Sequence, residues 1–246
     1  MANLYNGKMA SIFDAMYQTF IDYDEEYYFY NSLIQEKNCK TILEIGSGTG
    51  NLAKRFLENN QNYTGLDYSQ SMIAIAKERN KDCTFIHGDM RDFQLENSVD
   101  SILITGRSTS YMITNDDINN TFKSIYKNLT SNGILIFDFI DANRYIPYTK
   151  ENPIIIHEAN HEGITYYRGS SWKTTSAENF MLEWTAQYYT IKESAKEIIA
   201  DDFSTVRVFT LNEIQLFLYL NGFEIINTID RKTYAYDTFV IVARQK

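Results

Sequence analysis

Glycines and a carboxylate are concentrated where the sequence predicts that a short buried strand ends. The apolar run at 41–45 leads into the segment EIGSGTG at 44–50. Glycines at such a position allow a tight turn from a strand into a helix and let a ligand approach the backbone closely. The free N–H groups of the helix that follows can bind a polar or anionic group. The segment is therefore a candidate ligand-binding turn.

The spacing of these glycines separates several classes of ligand. A dinucleotide-binding turn reads G-x-G-x-x-G, and its third glycine would fall on Asn51. A phosphate-binding loop needs Gly-Lys followed by Ser or Thr, and no such triplet follows. Glu44, just before the glycines, would repel phosphates but suits a cationic ligand.

Two further carboxylates follow the next two predicted strands, at 62–67 and 83–87. Asp67 closes the first of them, where a carboxylate can accept both hydroxyls of a ribose. Asp89 follows the second, where it could accept from an adenine amino group while Met90 packs on the ring. Each aspartate taken alone would more simply be a helix cap. Because open α/β sheets bind ligands at the carboxyl ends of their strands, three acidic residues there favour a nucleoside-containing ligand.

The elements that position these residues alternate between strand and helix. Further strands are predicted at 99–105, 134–140, 223–230 and 238–244, and helices at 50–58, 69–79, 114–129 and 210–221. Between 143 and 206 the helical period disappears, and strand-like runs alternate with turns at 160–163, 176–179 and 192–195. We therefore predict an α/β protein with a Rossmann-like, doubly wound, seven-stranded sheet, an antiparallel last strand, and an inserted antiparallel β-meander.

Four segments in order resemble the motifs of class I S-adenosylmethionine-dependent methyltransferases: TILEIGSGTG at 41–50, GLDYSQSMIAIA at 65–76, HGDMRDF at 87–93 and SNGILIFDF at 131–139. The resemblance implies S-adenosylmethionine as the cofactor. Its methionine moiety would contact Glu44, Gly46, Ser47, Gly48 and Gly50, its ribose Asp67, and its adenine Asp89 and Met90. Tyr68 and Met72, from the second motif, complete the predicted cofactor site.

The resemblance also divides the chain into regions. Residues 1–38 would form an N-terminal helical cap, 39–142 the cofactor-binding domain, completed by 207–246, and 143–206 a substrate cap. The N-terminal segment at 13–30 and the meander are similar to those of amino-sugar and glycine-type N-methyltransferases. In such proteins a tyrosine near the N-terminus closes over the sulfonium, and the candidates here are Tyr5, Tyr17 and Tyr23.

Four side chains are the predicted catalytic residues: Tyr17, Arg107, Tyr111 and His157. Arg107 could pair with a carboxylate or phosphate of the substrate, or form only a surface ion pair. Tyr111 could line the pocket, and His157 could act as a base or be structural. We expect in-line transfer of a methyl group to a small molecule, and the lack of an obvious base favours an amine acceptor.

Composition and charge narrow the expected partners. The net charge of −9 disfavours nucleic acid, and no apolar run suits a signal peptide or a membrane span. Two cysteines and three histidines show no metal-binding spacing. We expect a cytoplasmic protein without a metal, with a homodimer possible through the insert. A nucleotide-dependent oxidoreductase or epimerase, and a non-catalytic S-adenosylmethionine-binding protein, remain alternatives.

Overall fold

A computed structural model describes residues 7–176, 180–233 and 237–246. The helices in these ranges are α1 (Lys8–Tyr17), α2 (Tyr23–Gln35), α3 (Ala53–Glu58), α4 (Gln70–Arg79), α5 (Asn115–Asn128), α6 (Ala142–Glu151) and α7 (Leu211–Leu220). The strands are β1 (Thr41–Ile45), β2 (Asn62–Asp67), β3 (Thr84–His87), β4 (Val99–Ile104), β5 (Leu129–Phe139), β6 (Ile155–His161), β7 (Ile164–Ser176), β8 (Met181–Lys192), β9 (Ala195–Arg207), β10 (Phe223–Arg231) and β11 (Thr238–Gln245).

The main sheet has seven strands in the order β10-β11-β5-β4-β1-β2-β3. The strands β1 to β5 pair in parallel, and β11 runs antiparallel to both of its neighbours. Along β1, Ile42 packs into one apolar cluster and Leu43 into the other, so both faces of the sheet are covered. The predicted doubly wound sheet with an antiparallel last strand is confirmed, although β5 begins at Leu129 and not at 134.

The second sheet is an antiparallel meander in the order β6-β7-β8-β9. Two of its predicted turns are confirmed, because residues with positive φ stand at Glu162 and Gly163 and at Glu193 and Ser194. The third predicted turn, at 176–179, falls largely outside the described residues.

The expectation that 143–206 contains no helix is wrong, because α6 occupies its beginning. The Asp141 side chain accepts the N–H of Asn143 and starts the helix. Ala142, Tyr145 and Thr149 are buried along one side of α6. Pro147 and the polar residues between them conceal this helical period in the sequence.

The insert leaves and rejoins the main domain at adjacent positions. The Ala142 N–H donates to the Phe209 carbonyl at 2.8 Å, and the Phe209 N–H donates to the Ile140 carbonyl at 2.8 Å. The chain therefore closes on itself at the base of the second sheet, beside the carboxyl end of β5.

Two helices precede β1 and lie outside the main sheet, as predicted for the N-terminal region. In α1, Ile12 and Met16 pack with Tyr166 and Tyr188 of the second sheet. The α2 helix is tied to the main domain by a buried ion pair between Glu26 and Arg231, whose Nη2–Oε1 distance is 2.8 Å. Tyr5, one of the predicted lid tyrosines, lies outside the described residues. Within the described residues, no helix is both long and apolar enough to span a membrane.

Candidate active site

A cleft of about 830 Å³ opens at the carboxyl ends of the parallel strands and continues beneath the second sheet. From the main domain its lining includes Glu44, Gly46, Ser47, Gly48, Asp67, Tyr68, Met72, Asp89, Met90, Arg107 and Tyr111. From the N-terminal helices and the insert it includes Phe13, Asp14, Tyr17, Tyr23, His157, Arg168, Trp172 and Trp184. The structure therefore brings together nearly all of the predicted cofactor-binding and catalytic residues.

The glycines of the turn after β1 have different roles. Gly46 and Gly50 have φ of +74° and +72°, and an added Cβ would collide with Ser108 Oγ at the first and lie 2.9 Å from the Phe85 ring at the second. Gly48 also has positive φ, but a Cβ there would meet no atom within 4 Å. Gly50, predicted to bind the cofactor, is not part of the cleft lining and serves packing. Gly48 leaves the backbone open to a ligand.

Asp67 fixes the geometry of this turn. Its two carboxylate oxygens accept the backbone N–H groups of Gly48 and Ser69, each at 2.8 Å. Burial raises the pKa of Asp67, and the two N–H donors offset part of that rise. Each carboxylate oxygen keeps a second lone pair, so Asp67 can still accept the ribose hydroxyls predicted for it.

Glu44 is a buried carboxyl at the base of the cleft. It accepts hydrogen bonds from the Tyr63 hydroxyl and from Thr105 Oγ1, the second at 3.0 Å. Burial raises the pKa of Glu44 to about 7. A cationic ligand nearby would therefore favour its charged form.

Asp89 has a partner that the sequence analysis missed. The Arg91 guanidinium contacts Asp89 Oδ2 at 2.6 Å and Asp117 Oδ1 at 3.0 Å. Burial favours the neutral form of Asp89, but the hydrogen bonds from Arg91 outweigh it and lower the pKa of the carboxyl. Asp89 thus lines the cleft as an anion shared with Arg91, and any contact with an adenine amino group would be made beside that ion pair.

Two predicted catalytic residues, Tyr17 and His157, lie beside Arg168, a buried arginine of the insert that the sequence analysis did not single out. Tyr17 stacks on Phe13 with ring centroids 3.9 Å apart. Arg168 Nη2 donates to His157 Nδ1 at 3.0 Å, so the proton of the neutral imidazole lies on Nε2. Burial and the Arg168 charge lower the pKa of His157 to about 4. His157 is therefore neutral near pH 7 and a weak base.

Arg107 lies on the opposite wall in a left-handed conformation, with φ of 64°. The prediction of a surface ion pair is wrong, because Arg107 is 9% exposed. Its backbone N–H donates to Asp138 Oδ1 at 2.7 Å, and its Nη2 donates to Thr233 Oγ1 at 2.6 Å. Through the first of these hydrogen bonds Asp138, which the sequence analysis did not single out, anchors the Arg107 turn. Burial raises the pKa of Asp138 to about 6. Tyr111, on the short 3₁₀ turn that follows, is 40% exposed and lines the cleft as predicted.

The cofactor side of the cleft fits S-adenosylmethionine in its donors and acceptors. Ser47 Oγ is buried and has no hydrogen-bond partner among the described residues, which leaves a polar atom for a ligand. Gly48 leaves open backbone, and Asp67 offers two acceptors beside it. In the described ranges, no group of three or more His, Cys, Asp or Glu side chains is placed to hold a metal ion.

Comparison with known proteins finds methyltransferases among the relatives of this chain. Residues 42–133 match a family model described as a methyltransferase domain. A putative methyltransferase, YqeM of Bacillus subtilis (strain 168), is 30% identical over 139 residues, 55% of this chain and 55% of that protein. The dTDP-3-amino-3,6-dideoxy-alpha-D-glucopyranose N,N-dimethyltransferase of Streptomyces fradiae is 25% identical over 137 residues, 54% of each chain. The chain therefore spans about half the length of these curated relatives.

A solved structure extends the likeness of the fold to the insert and the N-terminal helices. The amino pentose methyltransferase CalS10 of Micromonospora echinaspora, solved with S-adenosylmethionine bound, has a TM-score of 0.77 at 18% identity. The match covers 96% of this chain and 97% of that one. The resemblance drawn from the four motifs is confirmed: residues 42–133 match the methyltransferase domain, and the chain has the fold of S-adenosylmethionine-dependent methyltransferases.

Proposed function

We propose that this protein transfers a methyl group from S-adenosylmethionine to an amine nitrogen of a small molecule. The observation that carries the proposal is the single cleft of about 830 Å³, which runs from the strand-end carboxylates to the aromatic roof of the insert. A cleft of this size can hold a cofactor and a small acceptor together. The names of two relatives, which act on an amino sugar and an amino pentose, support an amine acceptor.

On the cofactor side, the roles follow from the donors and acceptors present. Gly48 and Ser47 would contact the methionine moiety, and Glu44 would counter its positive charge. Asp67 would accept the ribose hydroxyls, and Met90 would pack on the adenine beside Asp89. Tyr68 and Met72, which line the same side, would complete the enclosure.

On the acceptor side, the residues orient the reacting nitrogen and exclude water. When bound, S-adenosylmethionine supplies an electrophilic methyl group on a positively charged sulfur. Tyr17 and Tyr111 present aromatic faces and hydroxyls to the cleft, which suit an amine. An amine reacts only in its neutral form. His157, being neutral near pH 7, can donate a hydrogen bond from Nε2 without adding a repelling charge.

Calorimetry and an acceptor screen test this function. We expect S-adenosylmethionine and S-adenosylhomocysteine to bind and NAD not to bind, since the third glycine of a dinucleotide turn is replaced by Asn51. We then expect at least one primary or secondary amine in a panel to yield S-adenosylhomocysteine. Binding of NAD in preference would favour the oxidoreductase or epimerase alternative. Cofactor binding with no transfer to any amine or hydroxyl acceptor would favour a non-catalytic binding protein.

The insert at 143–206 would serve as the roof over the acceptor. Its side chains His157, Arg168, Trp172 and Trp184 line the cleft, whereas the predicted cofactor residues all lie in the main domain. Replacing 143–206 with a short linker between Ala142 and Arg207, which lie near each other at the Ala142–Phe209 hydrogen bond, should keep cofactor binding and abolish transfer. Transfer by the shortened protein would contradict this role.

The outer face of the second sheet supports a homodimer. Large apolar side chains are exposed on its two edge strands, Ile156 at 62% on β6 and Ile198 at 54% on β9. Apolar patches of this kind mark interaction surfaces. Light scattering after size-exclusion chromatography should give twice the chain mass, and Ile156→Lys with Ile198→Lys should return it to that of one chain. A wild-type protein with the mass of one chain would contradict the dimer.

A further inference from the structure

Arg168 is a buried cation on β7 that has no acidic partner among the described residues. It is 4% exposed and lines the cleft. Its Nη2 donates to His157 Nδ1 at 3.0 Å, and the side chains of Tyr17 and Tyr188 lie beside the guanidinium. Within 3.5 Å, Nε and Nη1 meet no acceptor among the described residues. No carboxylate of the described chain lies within 4 Å of its guanidinium, in contrast to Arg91, which contacts both Asp89 and Asp117.

An arrangement of this kind is costly unless a ligand completes it. Burying a charged group without an ionic partner destabilises the fold even after the protein relaxes, because the charge loses its hydration and gains no opposite charge in return. The rings of Tyr17 and Trp184 lie 5.3 and 5.9 Å from the Arg168 Cζ and offset only part of that cost. Burial lowers the pKa of Arg168, but the nearby Tyr17 and Tyr188 outweigh it, so the guanidinium stays charged.

We propose that the acceptor carries a carboxylate in addition to its amine, and that Arg168 binds this carboxylate in the roof of the cleft. The inference rests on the proposed function and narrows its substrate class. The unpartnered Nε and Nη1 supply N–H donors that match a carboxylate, and the Nε2–H of His157 supplies another. One guanidinium neutralises one negative charge.

The charge of the rest of the cleft favours a monoanion over a phosphate. Glu44, Asp67 and Asp89 line the same cleft, and the guanidinium of Arg91 is already shared by two carboxylates. A phosphate dianion would therefore leave negative charge without a partner in a partly apolar space. An amino acid or another small amine bearing one carboxylate meets these conditions.

The chain contains a built-in reporter for this site. Its two tryptophans, Trp172 and Trp184, both line the cleft. We would titrate acetate into the full chain saturated with S-adenosylhomocysteine, at constant ionic strength set with chloride, and follow tryptophan fluorescence. We expect a saturable change with acetate and a weaker response to inorganic phosphate. No saturable response to acetate, or tighter binding of phosphate, would overturn the proposal.

Variants separate binding by Arg168 from a packing role. Arg168→Met should weaken acetate binding by tenfold or more, as expected for loss of a charged hydrogen-bonding partner. Arg168→Lys keeps the positive charge but not the planar guanidinium with its paired N–H donors, so it should show an intermediate loss of acetate affinity. Arg244→Met, at an exposed ion pair with Glu224 outside the cleft lining, is the matched control and should bind acetate normally. Unchanged acetate affinity in Arg168→Met would overturn the proposal.

Thermal unfolding excludes a trivial loss of fold. Because Arg168→Met removes an unpaired buried charge and keeps the apolar stem, its melting temperature should equal or exceed that of the wild type. A lower melting temperature together with wild-type acetate binding would assign Arg168 to packing alone.

Matched acceptors keep this inference distinct from the proposed function. Pairs of amines with and without a carboxylate would be scored by S-adenosylhomocysteine formation. Transfer to the carboxylate-free member at an equal rate would overturn the inference and leave the methyltransferase function standing. Acetate binding that depends on Arg168, with no transfer to any amine, would support the anion site and contradict the function.

Discussion

The Asp14 carboxylate of α1 forms an ion pair with the Arg79 guanidinium at the end of α4, with an Oδ2–Nη2 distance of 2.5 Å. Asp14 also accepts hydrogen bonds from Thr49 Oγ1 and from Asn51 Nδ2, the second at 3.2 Å. Asn51 thus replaces the third glycine of a dinucleotide turn with a side chain that links the turn to α1. The N-terminal helix is therefore attached both to the glycine-rich turn and, through its apolar face, to the insert.

We predict that Asp14→Asn loosens α1 and weakens cofactor binding. The pair is largely buried on the Asp14 side, where the side chain is 9% exposed, so its loss should cost about 1–3 kcal/mol of folding stability. Hydrogen exchange of residues 8–17 should become faster than in the wild type. In the wild type, saturating S-adenosylmethionine should slow that exchange if α1 closes over the cofactor.

The matched control for this prediction is Arg55→Met. Arg55 forms a 2.6 Å ion pair with Asp24, whose side chain is 69% exposed, so its loss should change stability by no more than about 1 kcal/mol. Exchange of residues 8–17 that is the same in Asp14→Asn, Arg55→Met and the wild type would refute the role of the Asp14 link.

We predict that Asp67→Ala weakens S-adenosylmethionine binding by roughly tenfold to a hundredfold, since a charged hydrogen-bonding group contributes about 1.5–3 kcal/mol. The loss has two sources: the ribose acceptor disappears, and the N–H of Gly48 loses its partner. Asp100→Ala is the control, because Asp100 accepts the N–H groups of Lys40 and Thr41 at 3.0 Å, outside the cleft lining. Calorimetry that finds equal affinity for folded Asp67→Ala and Asp100→Ala would remove Asp67 from the cofactor site.

We predict that Glu44→Gln changes the pH dependence of stability. In the folded protein the pKa of Glu44 is raised from 4.5 to about 7 by burial. The carboxyl thus stabilises the fold most below its unfolded pKa, and this contribution is lost as the pH rises through 7. Glu44→Gln cannot ionise. The melting temperature of the variant minus that of the wild type should therefore increase from pH 5 to pH 8, and the corresponding change in the free energy of unfolding is on the order of 3 kcal/mol.

The difference between the two proteins isolates Glu44 from other buried acids. Asp138, with a pKa raised to about 6 by burial, contributes a slope of the same sign to both proteins and largely cancels. Melting curves that run parallel from pH 5 to pH 8 would show that Glu44 does not titrate in this range.

We predict that two alanine substitutions in the glycine-rich turn differ in effect, one acting mainly on stability and the other mainly on cofactor binding. Gly46→Ala should lower stability by about 1–3 kcal/mol, because its Cβ collides with Ser108 and its φ is positive. Gly48→Ala meets no protein atom and should cost only roughly 1 kcal/mol through its positive φ. Gly48→Ala should nevertheless bind S-adenosylmethionine at least tenfold more weakly, since its methyl group takes space at the open backbone. Wild-type affinity in Gly48→Ala would contradict that placement.

Sequence reasoning worked best where local chemistry decides the structure. The helices predicted to begin at 69 and 114 are present, and the structure shows Ser69 and Thr114 as their N-caps, the second in a full capping box with Asp117. The strand-end positions of Glu44 and Asp67 also followed directly from apolar runs that stop at polar or glycine residues. Each of these features depends on neighbours a few positions away in the chain.

The parts that sequence reasoning missed depend on distant contacts. Asp14 meets Arg79 across 65 positions, and Asp138 meets the Arg107 backbone across 31, and neither pairing leaves a local pattern. Arg168 did leave a signal, because Tyr166, Arg168 and Ser170 alternate on β7 and all three are buried. Every second residue of a half-buried strand faces the same side, so Arg168 shares the inner face of β7 with Tyr166 and Ser170, and a charged residue at such a position indicates a site.

The closure of the chain at Ile140 and Phe209 has a consequence for how such proteins diversify. Because the insert departs and returns at hydrogen-bonded neighbours, its replacement leaves the order and pairing of the seven-stranded sheet untouched. The residues proposed to recognise the acceptor's carboxylate lie within that exchangeable segment, while those proposed to hold the cofactor lie outside it. Acceptor preference can then evolve by grafting one contiguous stretch of chain, with α1 as the element that must adapt to the new partner.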